Sequence, residues 1–180
     1  LAIAEIMCAV MEARTAGVKV IGLIGGRSGC YGGGGLIAGC CSALAVSEPG
    51  RIAVSGPEVI ETNRGIEEFD SRDRALVWRT MGGKHRRLLG AADVFTDDTI
   101  QDFREAVLAL LGLVGTFGLD KLKAEQMRLG DRLRRFSACE DAVDIWTAEG
   151  IAHAETVPEL SADQFIALAN RIGRTSRDAR

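Results

Sequence analysis

Between residues 25 and 41 the chain reads GGRSGCYGGGGLIAGCC, eight glycines in seventeen positions. Neither helix nor strand favours that density, because glycine loses more conformational freedom on folding than any other residue. The run must serve something that side chains would obstruct: a close approach of backbone to backbone, or of backbone to a bound group. Residues 18–24 (VKVIGLI) precede it, a short apolar β-branched stretch that predicts a buried strand. Residues 36–42 follow it, small and apolar, and suit a helix buried on all sides. Three uses fit such a strand–loop–helix unit. One is a tight turn with close helix packing. The second is phosphate binding at the helix N-terminus. The third is an oxyanion hole, in which several backbone N–H groups point at one oxygen with the helix dipole behind them. Gly33, Gly35 and Ala38 satisfy G-x-G-x-x-A, but four consecutive glycines satisfy many patterns. No acidic residue clearly ends a second strand at the distance a dinucleotide site needs, although Glu48 lies near. A G-x-x-x-x-G-K-[ST] loop is absent, which argues against a nucleoside triphosphate.

The rest of the chain sets the frame. A length of 180 residues supports one domain with a real core. The net charge of −3 gives no general reason to expect nucleic acid. No apolar run reaches the roughly 18 residues of a membrane span, and Glu5 interrupts the apolar N-terminus, so no signal peptide is expected. Five cysteines without a C-x-x-C pair read as reduced thiols of a cytoplasmic protein. His85 and His153 lack ligand-like spacing, and no metal is expected.

The periodicity predicts a helix over 1–15 ended by Gly17, strands over 43–46 and 51–55 around Glu48-Pro49-Gly50, and a helix start at Gly56-Pro57-Glu58. Capping boxes are expected at Asp70–Asp73 and Ser161–Gln164, a short strand at Val94-Phe95, and an amphipathic helix over 98–113 followed by breakers at Gly112, Gly115 and Gly118. From Leu119 the pattern is helical and polar, with Ile145, Trp146, Phe165, Ile166 and Leu168 as anchors. The expected class is α/β, a core over 1–118 with a helical C-terminal extension over 119–180.

The glycine run continues through Ala45-Val46-Ser47-Glu48-Pro49-Gly50 into Gly56-Pro57-Glu58-Val59-Ile60-Glu61, and then through residues 65–86 (GIEEFDSRDRALVWRTMGGKHR). This succession resembles the carboxyltransferase branch of the crotonase superfamily, and within it the β subunits of biotin-independent malonate decarboxylases. The similarity covers residues 1–115 and is most specific over 25–95. The resemblance implies a crotonase-like spiral of β-β-α turns. It implies a γ subunit of the same fold as partner, with the active site between the two. The implied reaction is loss of CO2 from a malonyl thioester on the phosphopantetheine arm of an acyl carrier protein, giving the acetyl thioester, with no biotin. An acyl-CoA carboxyltransferase subunit and a non-catalytic scaffold subunit are the alternatives. The family also carries a first oxyanion loop just before the helix that begins here at Leu1, and that segment is expected to precede Leu1 in the complete protein.

Loss of CO2 leaves an enolate, so fixed donors for one oxygen are the main requirement. The N–H groups of Gly32, Gly33, Gly34 and Gly35 are the candidates, with Tyr31 or Cys30 within reach by sequence to return a proton. Lys84, His85, Arg86 and Arg87 are candidate contacts for the pantetheine phosphate or an acidic carrier, and His85 is a less favoured candidate general acid; the competing reading is a solvated helix face, with His85 exposed among cations. Arg132, Arg134 and Arg135 admit the same two readings. Cys40-Cys41 reads as helix filler, and Glu48, Glu58 and Glu61 as turn and helix-start residues rather than catalytic carboxylates.

Overall fold

The computed structural model describes residues 1–172. Helix α1 (Ala2–Thr15) forms where the apolar spacing placed it, and Gly17 leaves it at φ +85°. None of its residues is buried. Strand β1 is only Ile21–Ile24, because residues 18–20 are still leaving α1: the Val18 amide donates to the Ala13 carbonyl. Helix α2 (Gly33–Cys40) starts three residues before the expected Leu36, so the last three glycines of the run make its first turn. Arg14 Nη1 closes its other end with a 2.6 Å hydrogen bond to the Cys40 carbonyl.

Strand β2 (Ala43–Ser47) is buried throughout and pairs in parallel with β1 and with β3 (Val94–Thr96), in the order β1-β2-β3. Its alternation assigns the layers. Leu44 and Val46 face a core shared with Phe95, Trp146, Val157 and Phe165. Ala43 and Ala45 face Ala106 and Leu110 of α6 (Ile100–Leu113), their small side chains admitting that helix closely. A parallel sheet covered on both faces is the expected arrangement. Trp146 and Phe165 of the C-terminal segment are thus part of the principal core, with Ile166 and Leu168 packed against it; Phe165 is 0% exposed and meets Phe95 edge-on at 4.6 Å. This segment comprises α7 (Leu119–Arg135), α8 (Ala142–Ala148), a 3-10 turn (Ala154–Glu159) and α9 (Ala162–Ile172).

Three expectations need correction. Residues 51–55 form no strand beyond isolated bridges at Arg51 and Ile52; their hydrogen bonds go to the glycine loop on one side and, from the Ile52 amide, to the Met81 carbonyl on the other. The Asp70–Asp73 motif is not a box: Asp70 accepts from the Arg72 amide within a turn, and Asp73 caps α4 (Arg74–Met81) through the Leu76 amide at 3.0 Å. At Ser161 the reciprocal pair with Gln164 does form. Gly112 lies inside α6, and Gly118 is the N-cap position of α7.

The largest correction concerns residues 84–87. They lie on α5 (Gly83–Leu88), inserted between the sheet and α9, so they are not a solvated face. Lys84, His85 and Arg87 are buried. Lys84 Nζ reaches Glu48 at 3.0 Å and the carbonyls of Pro158 and Leu160 at 2.9 and 2.8 Å, tying the C-terminal segment to the turn after β2. His85 packs near Trp146, ring centroids 5.9 Å apart. Burial, helped by the charges of Arg86 and Arg132, lowers its pKa to about 3.

Two predictions follow from this packing. Phe165→Ala should lower stability by about 3–5 kcal/mol in urea denaturation, whereas Leu133→Ala, at an exposed site, should change it by less than about 0.5 kcal/mol. Because the folded pKa of His85 lies below its unfolded value, the unfolded chain binds more protons between the two, and stability falls as pH drops through that window. Unfolding free energy should therefore fall by about 1.5 kcal/mol more in the native chain than in His85→Phe between about pH 6.5 and about pH 5. Equal slopes would show that the imidazole protonates in place.

Candidate functional site

The glycine loop leaves the C-terminal end of β1, the edge where parallel sheets present ligand-binding loops. Its first part is pinned by Asp98, whose Oδ1 accepts from the Gly26 amide at 2.9 Å and from the buried Ser47 hydroxyl at 2.7 Å. Its second part zips in parallel onto residues 51–54. The Cys30 amide donates to the Arg51 carbonyl at 2.8 Å, the Ala53 amide to the Cys30 carbonyl at 3.2 Å, and the Gly32 amide to the Val54 carbonyl at 2.9 Å. Arg51 also donates from its guanidinium to the Arg27 carbonyl.

Side chains are excluded for specific reasons. At Gly32 the backbone turns into the helix at φ +58°, a region L-residues seldom adopt. A Cβ on Gly35 would lie 2.3 Å from the Ala53 carbonyl oxygen, and one on Gly33 2.3 Å from Ile3 of α1. A Cβ on Gly29 would meet the Tyr31 ring at 2.2 Å. Much of the run is thus explained by close packing of backbone against its surroundings.

The four candidate donors are not equivalent. The Gly32 amide is held by Val54, and the Gly34 amide donates to the Tyr31 carbonyl at 3.1 Å. The amides of Gly33 and Gly35 have no acceptor among the described residues. They belong to the first turn of α2, where amides lack intrahelical partners and the helix dipole favours negative charge.

Tyr31 lies beside this turn. Its ring packs against Gly56, and its buried hydroxyl lies near the Arg51 guanidinium without a hydrogen bond of normal geometry. Burial pushes its pKa up, against the pull of Arg51 and Arg86, so the phenol stays protonated. Burial likewise raises the Cys30 and Cys41 thiols, which disfavours thiolate chemistry there. Arg51 and Arg74 both sit over the Trp78 ring, at 4.4 and 5.3 Å from its centroid. Arg86 donates to the Thr80 carbonyl at 3.1 Å, and burial lowers its pKa.

Lys84, His85 and Arg86 do not join the glycine loop as a set. The Lys84 ammonium is engaged inside the fold. His85 instead lines a cleft of about 580 Å³ whose near edge is Ser55 and whose far wall is α8. Sequence reasoning did not find Arg51, Trp78, Ser47 or Asp98. Asp98 carried a local signal, a carboxylate just before the Thr99 helix cap, but that position reads equally as part of the cap. Among the described residues, no three His, Cys, Asp or Glu side chains gather as a metal site would need, and no helix is long and apolar enough to cross a membrane.

No protein-family model matches the chain. It is 38% identical over 180 residues to the malonyl-S-ACP:biotin-protein carboxyltransferase MADC of Malonomonas rubra, an alignment covering 96% of this chain and 56% of that protein. The chain therefore spans about half the length of this curated relative. Its fold matches a chain of the Pseudomonas malonate decarboxylase hetero-tetramer in complex with malonate, at TM-score 0.68 and 32% identity, over 82% of this chain and 53% of that one. It also matches a chain of the Pseudomonas malonate decarboxylase MdcD-MdcE hetero-dimer, at TM-score 0.57 and 30% identity, over 76% of this chain and 53% of that one. In sequence and in fold the chain is thus related to malonate decarboxylase and carboxyltransferase subunits.

Proposed function

We propose that this chain is part of a malonate decarboxylase β subunit and helps convert malonyl-S-acyl-carrier protein to acetyl-S-acyl-carrier protein and CO2. The observation that carries the reading is the pair of amides on Gly33 and Gly35, left without acceptors at the positive end of α2. In this reading they face the thioester oxygen. The C–C bond to the carboxylate breaks, CO2 leaves, and the electron pair passes to the enolate whose negative oxygen these amides hold. The enolate carbon then takes a proton, from the Tyr31 phenol or from water, to give the acetyl thioester. The resemblance of residues 25–95 and the related hetero-oligomeric structures support a γ subunit and an acyl carrier protein as partners. The same reading takes the fold as a crotonase-like spiral over 1–118 with an extension over 119–180, in a cytoplasmic complex that needs neither biotin nor metal.

The name of the Malonomonas relative favours a second reading, in which the carboxyl group passes to biotin carried on a protein. Both share the enolate, so the fate of the carboxyl group separates them. Biotin-free release of CO2 by the assembled complex supports the first; turnover only with a biotinylated acceptor supports the second.

Gly33 offers a sharper test. It is the first residue of α2, a position where proline is well accommodated. Gly33→Pro, made together with Ile3→Ala to clear the contact with Ile3, removes one amide donor while keeping the helix start. Turnover of malonyl-carrier protein by the assembled complex should fall about 100- to 1000-fold. Gly39→Ala, where a Cβ meets open space, should leave it unchanged. An assembled Gly33→Pro complex with full activity would reduce the chain to a scaffold.

A further inference from the structure

Helix α7 is turned the opposite way from an ordinary surface helix, with its leucines in water. We infer that its outward stripe, Leu119, Leu122, Leu129 and Leu133, pairs with the same stripe of a second copy of this chain, the two helices running antiparallel about a two-fold axis. The inference is independent of the decarboxylase reading.

The exposure pattern shows the inversion. Those four leucines are 65%, 43%, 44% and 77% exposed. Across the helix from them, the Arg128 side chain is only 14% exposed and holds Glu125. A surface helix normally buries its apolar stripe and leaves its charged face in water. Yet α7 buries no residue, whereas even the short α3 (Pro57–Arg64) buries Pro57. Leucines exposed singly need no explanation. These recur in alternating steps of three and four: Leu119, Leu122, Gln126, Leu129, Leu133 and Phe136 fall at the a and d positions of a coiled-coil seam.

The order of residues along the seam decides the occupant. An antiparallel copy sets Leu119 against the second copy's Phe136, Leu122 against its Leu133, and Gln126 against its Leu129. Glu125 and Arg132 flank the seam at the g positions. In this register each Glu125 meets the second copy's Arg132, so the axis generates two pairs of opposite charge. Glu125 keeps its bond to Arg128, and Arg132 its effect on His85, each gaining one further contact. The two Gln126 amides flank the axis, polar a residues of the kind that fixes register. A parallel copy offers no such match, because Glu125 would face Gly130 and Lys123 would face Gly118. A stripe shaped for an unrelated helix has no need of this self-complementary order.

The full chain would be followed by sedimentation velocity under reducing conditions, since Cys8 is exposed. It should pass from one copy to two as its concentration rises from about 1 μM to about 1 mM. Glu125→Lys and Arg132→Glu should each weaken the pairing about tenfold, because both pairs across the axis become like-charged. An equimolar mixture of the two variants should regain the native affinity, since every pair across the axis is again opposite. Leu133→Lys, at the most exposed site of the stripe, should abolish pairing. In dilute solution, where the chain is single, changes at Leu133 leave its stability untouched. A chain that stays single at about 1 mM would overturn the inference and assign the stripe to a helix of another subunit. So would pairing that survives Leu133→Lys, or two folded single variants whose mixture does not recover.

Discussion

The carbonyl of Ala53 occupies the space that any side chain on residue 35 would need, and the glycine-loop edge of the molecule is arranged around that contact. It seats the first turn of α2 directly on residues 51–54. That seating takes up the Gly32 amide, leaves those of Gly33 and Gly35 open, and brings the Tyr31 ring against Gly56. Ser55, the next residue of the same segment but one, opens the adjoining cleft. A single backbone approach thus organises both the candidate oxyanion site and the mouth of the neighbouring pocket.

Much of this architecture is legible locally. The periodicity of residues 1–15 and 98–113 and the apolar run of 43–46 correspond to formed elements, because their signals depend on near neighbours alone. The strand–loop–helix reading of residues 18–42 also corresponds to what forms. What the local pattern lacks is hydrogen-bond allocation. Four amides in a glycine run look alike in sequence, whereas in the fold Val54, supplied from beyond the next strand, takes that of Gly32 and the Tyr31 carbonyl takes that of Gly34. The same holds for residues 51–55, whose apolar character suggests a strand although their partners belong to the glycine loop and to the end of α4.

Residues 84–87 show the other limit. Three cations and a histidine in a row read as a wet surface under every composition rule. Lys84, His85 and Arg87 are buried because α8, α9 and the 3-10 turn return over α5, and a return across some seventy residues leaves no trace in local spacing. Trp146 and Phe165 did announce that the C-terminal segment had something to bury, but not against what. The compensation for Lys84 comes from one carboxylate and two carbonyls, which satisfies a buried ammonium in the way that buried charge requires.

That ammonium also determines how the molecule can come apart. Lifting the 3-10 turn away from the sheet would take two carbonyl partners from Lys84 while the apolar surface of Val157 and Phe165 opened to water. Such an opening has no inexpensive partial form, since a desolvated cation must either keep its acceptors or gain bulk water. The end of the chain and the strands beneath it consequently breathe as one cooperative unit, and transient fraying is confined to elements that bury nothing, such as α7.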